Sequence, residues 1–225
     1  MNSQIITNRT SCNHAEALPR RRPTSLRRRR EHGLTTEFHD RLRGKVRERE
    51  GREAEPTAGI IDAQSVRAAA TVPAASRGYD GGKKVPGRER HIVTDTVGLL
   101  LVVAVTAANI GDRDAAAGLL LRLRRLHRDI ALVWADGGYT GGLVDWCRQK
   151  LALTLEIVKR ADDMTGFVVL PRRWVAERTF AWLINSRRLA RDYETLPAGS
   201  EAVIRWSMVT RMSRRLARPR TVGRH

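Results

Sequence analysis

Apolar positions along this chain come mostly in short runs that stop at an acid or a glycine. Gly59-Ile60-Ile61-Asp62-Ala63-Gln64-Ser65-Val66 reads as a strand with Asp62 near its middle or end. His91-Ile92-Val93-Thr94-Asp95 and the stretch from Leu99 to Thr106 are β-branched or aliphatic, and Thr96-Val97-Gly98 between them predicts a hairpin. Ile130 to Ala135 is a further strand that ends abruptly in Asp136-Gly137-Gly138, and Leu153 to Val158 is another. Helical spacing places Leu119, Leu120, Leu123 and Leu126 on one stripe behind Asp112-Arg113-Asp114, whose acids suit the positive end of a helix dipole. Tyr139 to Lys150, Pro171 to about Leu189 and Glu201 to Leu216 read as three more helices. A short charged helix capped by Thr35 or Thr36 runs through Phe38, Leu42 and Val46 until Gly51 and Pro56 stop it. Residues 68–87 hold neither period. Tyr79-Asp80-Gly81-Gly82-Lys83-Lys84 reads as a flexible basic loop, and Asp162, Asp163 and Gly166 mark another loop.

The element order is strand, hairpin, helix, strand, helix, strand, helix, which predicts an α/β fold with a mixed sheet covered by helices. Residues 57–217 form that domain. Residues 34–56 read as a helical connector, residues 1–33 as a basic disordered segment and residues 218–225 as a basic tail. The stretch from Leu18 to Arg30 holds seven arginines, two prolines and no acid, which cannot pack on itself.

Charge narrows the function. A net charge of +18 and a pI near 11.4 argue against an ordinary enzyme of small metabolites and point to polyphosphate, because each Lys or Arg set on a phosphate releases condensed cations. Charge alone suits a basic DNA-binding protein with no chemistry. Cys12 and Cys147 offer neither a disulfide framework nor metal-ligand spacing, which fits a reduced cytoplasm. The longest apolar run, Val97 to Ala108, is shorter than a membrane span, and no secretory leader is read at the amino terminus. A cytoplasmic protein with no membrane association is the expectation.

Three acids add chemistry. Asp62 and Asp136 close or interrupt strands, and Glu177 lies early in a Trp/Phe-rich helix. At helical spacing Glu177 aligns with Arg173, Phe180, Ala181 and Ile184, while Val175, Trp182 and Leu189 form a second apolar line. A carboxylate between apolar faces must find a cation or be protonated. Arg173 is one answer and a divalent metal is the other. Phosphodiester cleavage needs an oxygen-rich anionic cluster that holds hard ions such as Mg²⁺, and two ions about 4 Å apart serve both the attacking and the leaving oxygen. Asp95 is a weaker candidate for a fourth acid.

Several blocks together resemble the DDE transposases of bacterial insertion sequences, the insertion-sequence-five group. They are Ile60-Ile61-Asp62-Ala63-Gln64-Ser65-Val66, Arg77-Gly78-Tyr79-Asp80-Gly81-Gly82-Lys83-Lys84-Val85 and Arg88-Glu89-Arg90-His91-Ile92-Val93, followed by Ala135-Asp136-Gly137-Gly138-Tyr139 and Arg172-Arg173-Trp174-Val175-Ala176-Glu177-Arg178-Thr179-Phe180-Ala181-Trp182-Leu183. The resemblance covers roughly residues 35–215. It implies an RNase H-like fold, with Asp62, Asp136 and Glu177 as catalytic ligands of Mg²⁺ or Mn²⁺, two ions in all. It also implies a nucleoid-associated enzyme that acts on transposon ends and target DNA as a homodimer in the active complex. In the implied reaction an activated water cleaves the phosphodiester at a transposon end and frees a 3′-hydroxyl. That hydroxyl attacks target DNA directly, so the carboxylates hold metal and are not nucleophiles.

Around the Glu, the wider superfamily carries a Tyr, an Arg and a Lys at set distances. Arg173 matches the Arg, whereas Leu170 and Ile184 occupy the Tyr and Lys positions, leaving Arg187 or Arg188 as substitutes. Lys83 and Lys84 sit in a matching block, as phosphate contacts or as solvated charge. Residues 34–56 resemble the end of the connector from a helical end-binding domain, and residues 1–33 resemble nothing in the family. The expectation is therefore a transposase truncated at its amino terminus, with an intact core but no specific end recognition, and its activity is in question. The rival readings are a non-catalytic basic DNA-binding protein derived from a transposase and an RNase H-like nuclease without strand transfer.

Overall fold

The computed structural model describes residues 33–158 and 171–219, with the backbone alone for 171–173. The arginine-rich stretch from Leu18 to Arg30, the loop of Asp162, Asp163 and Gly166, and the end of the basic tail lie outside the described residues. The strands are β1 (Ala58–Arg67), β2 (Gly78–Asp80), β3 (Val85–Asp95), β4 (Leu100–Ala107), β5 (Leu132–Ala135) and β6 (Thr154–Ile157). The helices are α1 (Leu34–Arg49), α2 (Asp112–Leu126), α3 (Gly142–Leu151), α4 (Pro171–Ile184) and α5 (Pro197–Ala217).

β3 is the central long strand. Its residues 87–95 pair antiparallel with β1, and its opposite edge takes β4 and then β2. On the far side of β1, β5 and β6 add in parallel. Three long antiparallel strands followed by two short parallel ones, with helices at the crossovers, make this the mixed sheet that the element order predicts, in the RNase H-like arrangement that the resemblance implies. The predicted loop over residues 79–84 is a small hairpin. Gly78 to Asp80 pairs with Val85 to Gly87, and Gly81 to Lys84 form only the turn. The Gly- and Lys-rich composition hid that pairing, because register with β3 and not side-chain propensity supplies its hydrogen bonds.

Alternating residues of the sheet feed two cores. Ile61, Val93, Leu101 and Val102 pack with Leu119, Leu120 and Leu123 of α2 and with Leu143 and Cys147 of α3. Ile92, Leu100, Val103 and Val105 pack on the other face with Val46 of α1, Phe180 and Leu183 of α4, and Met208 and Met212 of α5. Coverage of both faces explains why Leu99 to Val105 is continuously apolar and does not alternate.

α1 departs from its predicted apolar line. Phe38 is exposed and Leu42 half-buried, while Thr35, His39, Arg43 and Arg47 form the buried edge. Those guanidiniums are tolerated because they are paired: Arg43 with Asp40 and Glu55, and Arg47 with Asp95 at 2.7 Å. α1 packs along α5 and so belongs to the same body as the sheet. The segment between α4 and α5 is held to the sheet by Arg88, fully buried, whose guanidinium donates to Asp192, Ser200 Oγ and the carbonyls of Glu194 and Thr195. Among the described residues no helix is long and apolar enough to cross a membrane.

Candidate active site beside mid-β1 and the end of β5

Parallel pairing of β1 with β5 aligns Ile60 with Trp134. Two residues further along each chain stand Asp62, inside β1 and by strand alternation on the face covered by α4, and Asp136, just past the end of β5. They line one crevice together with Ile60, Trp134, Ala135, Val158 and Ala176. Each carboxylate is oriented by its own backbone. Asp62 Oδ1 accepts from the Ala63 N–H at 2.8 Å, and Asp136 Oδ1 accepts from the Gly138 N–H at 2.9 Å. Asp136 thereby caps the single turn Gly137–Tyr139. Its glycine setting has a measurable reason: a Cβ built on Gly138 would stand 3.1 Å from Asp136 Oδ1 and 3.8 Å from Asp112 Oδ2.

Glu177 follows Ala176, the α4 residue that lines this crevice. α4 buries Ala176, Thr179, Phe180 and Leu183, so Glu177 is an exposed residue beside the buried stripe and not a carboxylate embedded between apolar faces. The rotation of α4 is fixed from the hairpin side. Thr179 Oγ1 donates to the Gly98 carbonyl at 2.9 Å and Arg178 Nη2 to the Val97 carbonyl at 3.1 Å. Gly98 adopts the left-handed backbone that this turn needs, and a side chain there would meet Thr179 and Trp182. The Arg173 side chain lies outside the described residues.

The structure brings Asp62 and Asp136 together most clearly. With Glu177 they do not form a set whose ligand atoms all lie within 4.8 Å; among the described residues that spacing belongs to Glu89, His91 and Asp112. Asp95 has another task. Its Oδ2 accepts from Arg47, and its Oδ1 accepts from the backbone N–H groups of Val97 and Leu99, so it holds the β3–β4 turn. Lys83 turns inward, its Nζ 2.7 Å from Glu89 Oε1 and 3.6 Å from Asp80 Oδ2. Lys84 is exposed, with a positive φ of 56°. Arg187 is exposed, and Arg188 holds Glu194 Oε1 at 2.7 Å.

Sequence reading missed a basic groove between α4 and α5. It is lined by Arg188, Arg211, Arg214, Arg215 and Arg218 with Trp182 and Trp206, and its described lining contains no acid. Arg178 stacks between Trp174 and Trp182 at 5.0 and 4.9 Å, and Arg211 covers Trp182 at 3.8 Å. The spacing of Arg211, Arg214, Arg215 and Arg218 on one helical side was the available signal. Tyr139 was missed as well. Its ring is buried, and its hydroxyl is held well above the usual phenol range by burial first and then by Asp112, Asp62, Asp136 and Glu89.

A Burkholderia cepacia protein assigned as the transposase for insertion sequence element IS402 is 34% identical over 117 residues, which cover 48% of this chain and 54% of that protein. The chain thus spans about half the length of the curated relative it matches. The crystal structure of the Mos1 Strand Transfer Complex aligns with 81% of this chain and 59% of its own at 11% identity and a TM-score of 0.35, too distant to inform the site. The transposase DDE domain family matches residues 53–210, from the start of the sheet to the last turns of α5, and the chain belongs to that family, among the insertion-sequence DDE transposases.

Proposed function

We propose that this domain carries out the DNA cleavage and strand transfer of an insertion sequence, with Asp62, Asp136 and Glu177 as the ligands of divalent metal. The family implies divalent metal use. The finer reading, two Mg²⁺ or Mn²⁺ ions, is supported by the donor set, which is all carboxylate oxygen and suits hard ions. The observation that carries it is that Asp62 and Asp136 line one crevice together with the α4 residue next to Glu177. When bound, such ions supply Lewis acidity to the scissile phosphate and lower the pKa of an attacking water or hydroxyl.

The protein's own part is to hold and orient. The Ala63 and Gly138 amides fix one oxygen of each aspartate, and the Thr179 and Arg178 contacts set α4 against the β3–β4 turn. The arginine groove beside α4 supplies counter-charge for phosphates, with Arg188, Arg211 and Arg214 as contacts and Arg173, Arg187 and Lys84 as further candidates. Lys83 is a weaker candidate because it already neutralises Glu89. A homodimer on transposon ends and target DNA, in the cytoplasm, completes the proposal. Specific end recognition by a segment outside this domain remains part of it.

The test is Mg²⁺- or Mn²⁺-dependent nicking of DNA bearing the element's terminal repeats, by this chain and by Asp136→Ala. Nicking by the wild type alone, with products joined to target DNA, is the expected result. Nicking without joined products assigns a nuclease instead, and DNA binding without nicking by either protein assigns a non-catalytic binder.

A further inference from the structure

A second group of ligands adjoins Asp136, since a Cβ on Gly138 would stand 3.1 Å from Asp136 Oδ1 and 3.8 Å from Asp112 Oδ2. Glu89 and His91 alternate along β3 with the same parity as Val93, so they face α2, and Asp112 is the first residue of that helix. The three offer ligand atoms that all lie within 4.8 Å of one another. Both β3 residues are buried, His91 completely.

The hydrogen bonds around His91 decide what it can do. His91 Nε2 and Thr106 Oγ1 share a hydrogen bond of 2.9 Å, and Thr106 Oγ1 also lies 3.2 Å from the Ala107 carbonyl. His91 Nδ1 stands 3.7 Å from Asp112 Oδ1. Both atoms are buried and neither has a hydrogen-bond partner. With the ring proton on Nε2, His91 turns a lone pair toward that carboxylate, and a cation between them joins the two. The gap is too long for a hydrogen bond, yet two ligands of one tetrahedral Zn²⁺, each at about 2.1 Å, stand roughly 3.4 Å apart. The Tyr139 hydroxyl, also buried and without a hydrogen-bond partner, lies under the influence of Asp112, then Asp62 and Asp136, then Glu89.

We propose that Glu89, His91 and Asp112 form a binding site for a divalent transition-metal ion, made of other residues than the neighbouring Asp62–Asp136–Glu177 set, which clamps β3 to the start of α2. A mixed imidazole and carboxylate set favours Zn²⁺ or Mn²⁺ over Mg²⁺. The Thr106 contact plays the orienting role that an outer hydrogen bond plays for metal-bound histidines. Lys83 acts as the stand-in cation. Its ammonium sits 2.7 Å from Glu89 Oε1 on a half-exposed side chain that can swing out to solvent when an ion arrives. The site does not depend on the catalytic reading of the other three acids.

The experiment loads the full chain, free of any histidine tag, with Mn²⁺ in an Asp62→Asn/Asp136→Asn background. Nitrogen couplings to the bound Mn²⁺ are read by pulsed electron paramagnetic resonance. The carboxylates of the other set contain no nitrogen, so an imidazole coupling reports this site. We expect one tightly held ion with one nitrogen coupling, lost in His91→Gln. We also expect at least tenfold weaker binding in Asp112→Asn and several-fold tighter binding in Lys83→Met. Zn²⁺ should raise the melting temperature of the wild type and not that of Asp112→Asn, a readout that holds even if His91→Gln fails to fold. Bound Mn²⁺ without nitrogen coupling, a coupling that survives His91→Gln, or a folded background that binds no Mn²⁺ or Zn²⁺ would overturn the proposal.

Discussion

Asp62 and Asp136 each stand two residues beyond the parallel pair Ile60 and Trp134, and two acids 74 positions apart in the chain line one crevice. Neither position alone requires an acid there. If both hold the same ion, then Asp62→Asn should remove metal-dependent DNA nicking as completely as Asp136→Asn. The loss of rate should be on the order of 10²–10³-fold or more, the scale for removing one preorganised electrostatic group. The double variant should be scarcely worse than either single one, because the two act as a unit. Losses that multiply in the double variant would mean that the aspartates act separately.

Gly138 provides a subtler probe of the same site. Its missing Cβ keeps 3.1 Å from Asp136 Oδ1, closer than most side-chain contacts allow. Gly138→Ala should displace that carboxylate by a few tenths of an ångström. We predict a clear loss of nicking with a melting temperature close to wild type. Full activity in Gly138→Ala would show that the aspartate's position is not demanding.

Much of this architecture was legible in the sequence, and the failures have physical causes. The strands, the β3–β4 hairpin and α2 announced themselves because short apolar runs and leucine spacing are local signals. Pairing is not local. β2 is only three residues, of which Gly78 and Asp80 disfavour strands, and its register with Pro86 and Gly87 makes it a strand. α1 misled for another reason: its buried edge contains Arg43 and Arg47, and their partners Glu55 and Asp95 are chosen by the tertiary fold. Glu89, His91 and Asp112 carry no spacing that marks a site. They meet only because β3 faces the start of α2.

Asp95, readable from sequence as a spare acid, is predicted to be structural. It is wholly buried, pairs with Arg47 at 2.7 Å and accepts from two turn amides. Asp95→Ala leaves a buried guanidinium unpaired and should destabilise the fold by about 3–5 kcal/mol. Urea unfolding measures this directly. A change under about 1 kcal/mol would indicate that Arg47 finds water or another partner at little cost.

The groove between α4 and α5 should govern DNA affinity without setting the chemistry. Arg211→Ala and Arg214→Ala are predicted to weaken binding of all DNA sequences about equally. Removing one arginine that neutralises a phosphate should reduce the slope of log affinity against log salt by about 0.9. Titrations at several salt concentrations test this, and an unchanged slope in both variants would move the DNA track elsewhere.

The last prediction concerns acid. His39 is buried in α1 and its pKa is lowered, chiefly by burial, against a raising effect of its contact with Asp40; Arg43 and Arg205 lower it further. His127 is lowered in the same direction, again chiefly by burial, with Arg43 opposed by Asp40 and Glu55. In both cases the unfolded chain binds the proton more readily than the folded one. Their contribution is therefore fully present above the unfolded value near 6.5 and is lost as pH falls from there toward the depressed folded values. Melting temperatures should drop between about pH 7 and pH 5, the range that brackets an ordinary imidazole. His39→Gln should flatten that drop, since an amide fills similar space without gaining charge. An acid limb identical to wild type in His39→Gln would mean that His39 is already charged in the folded protein, with Asp40 as its counter-ion.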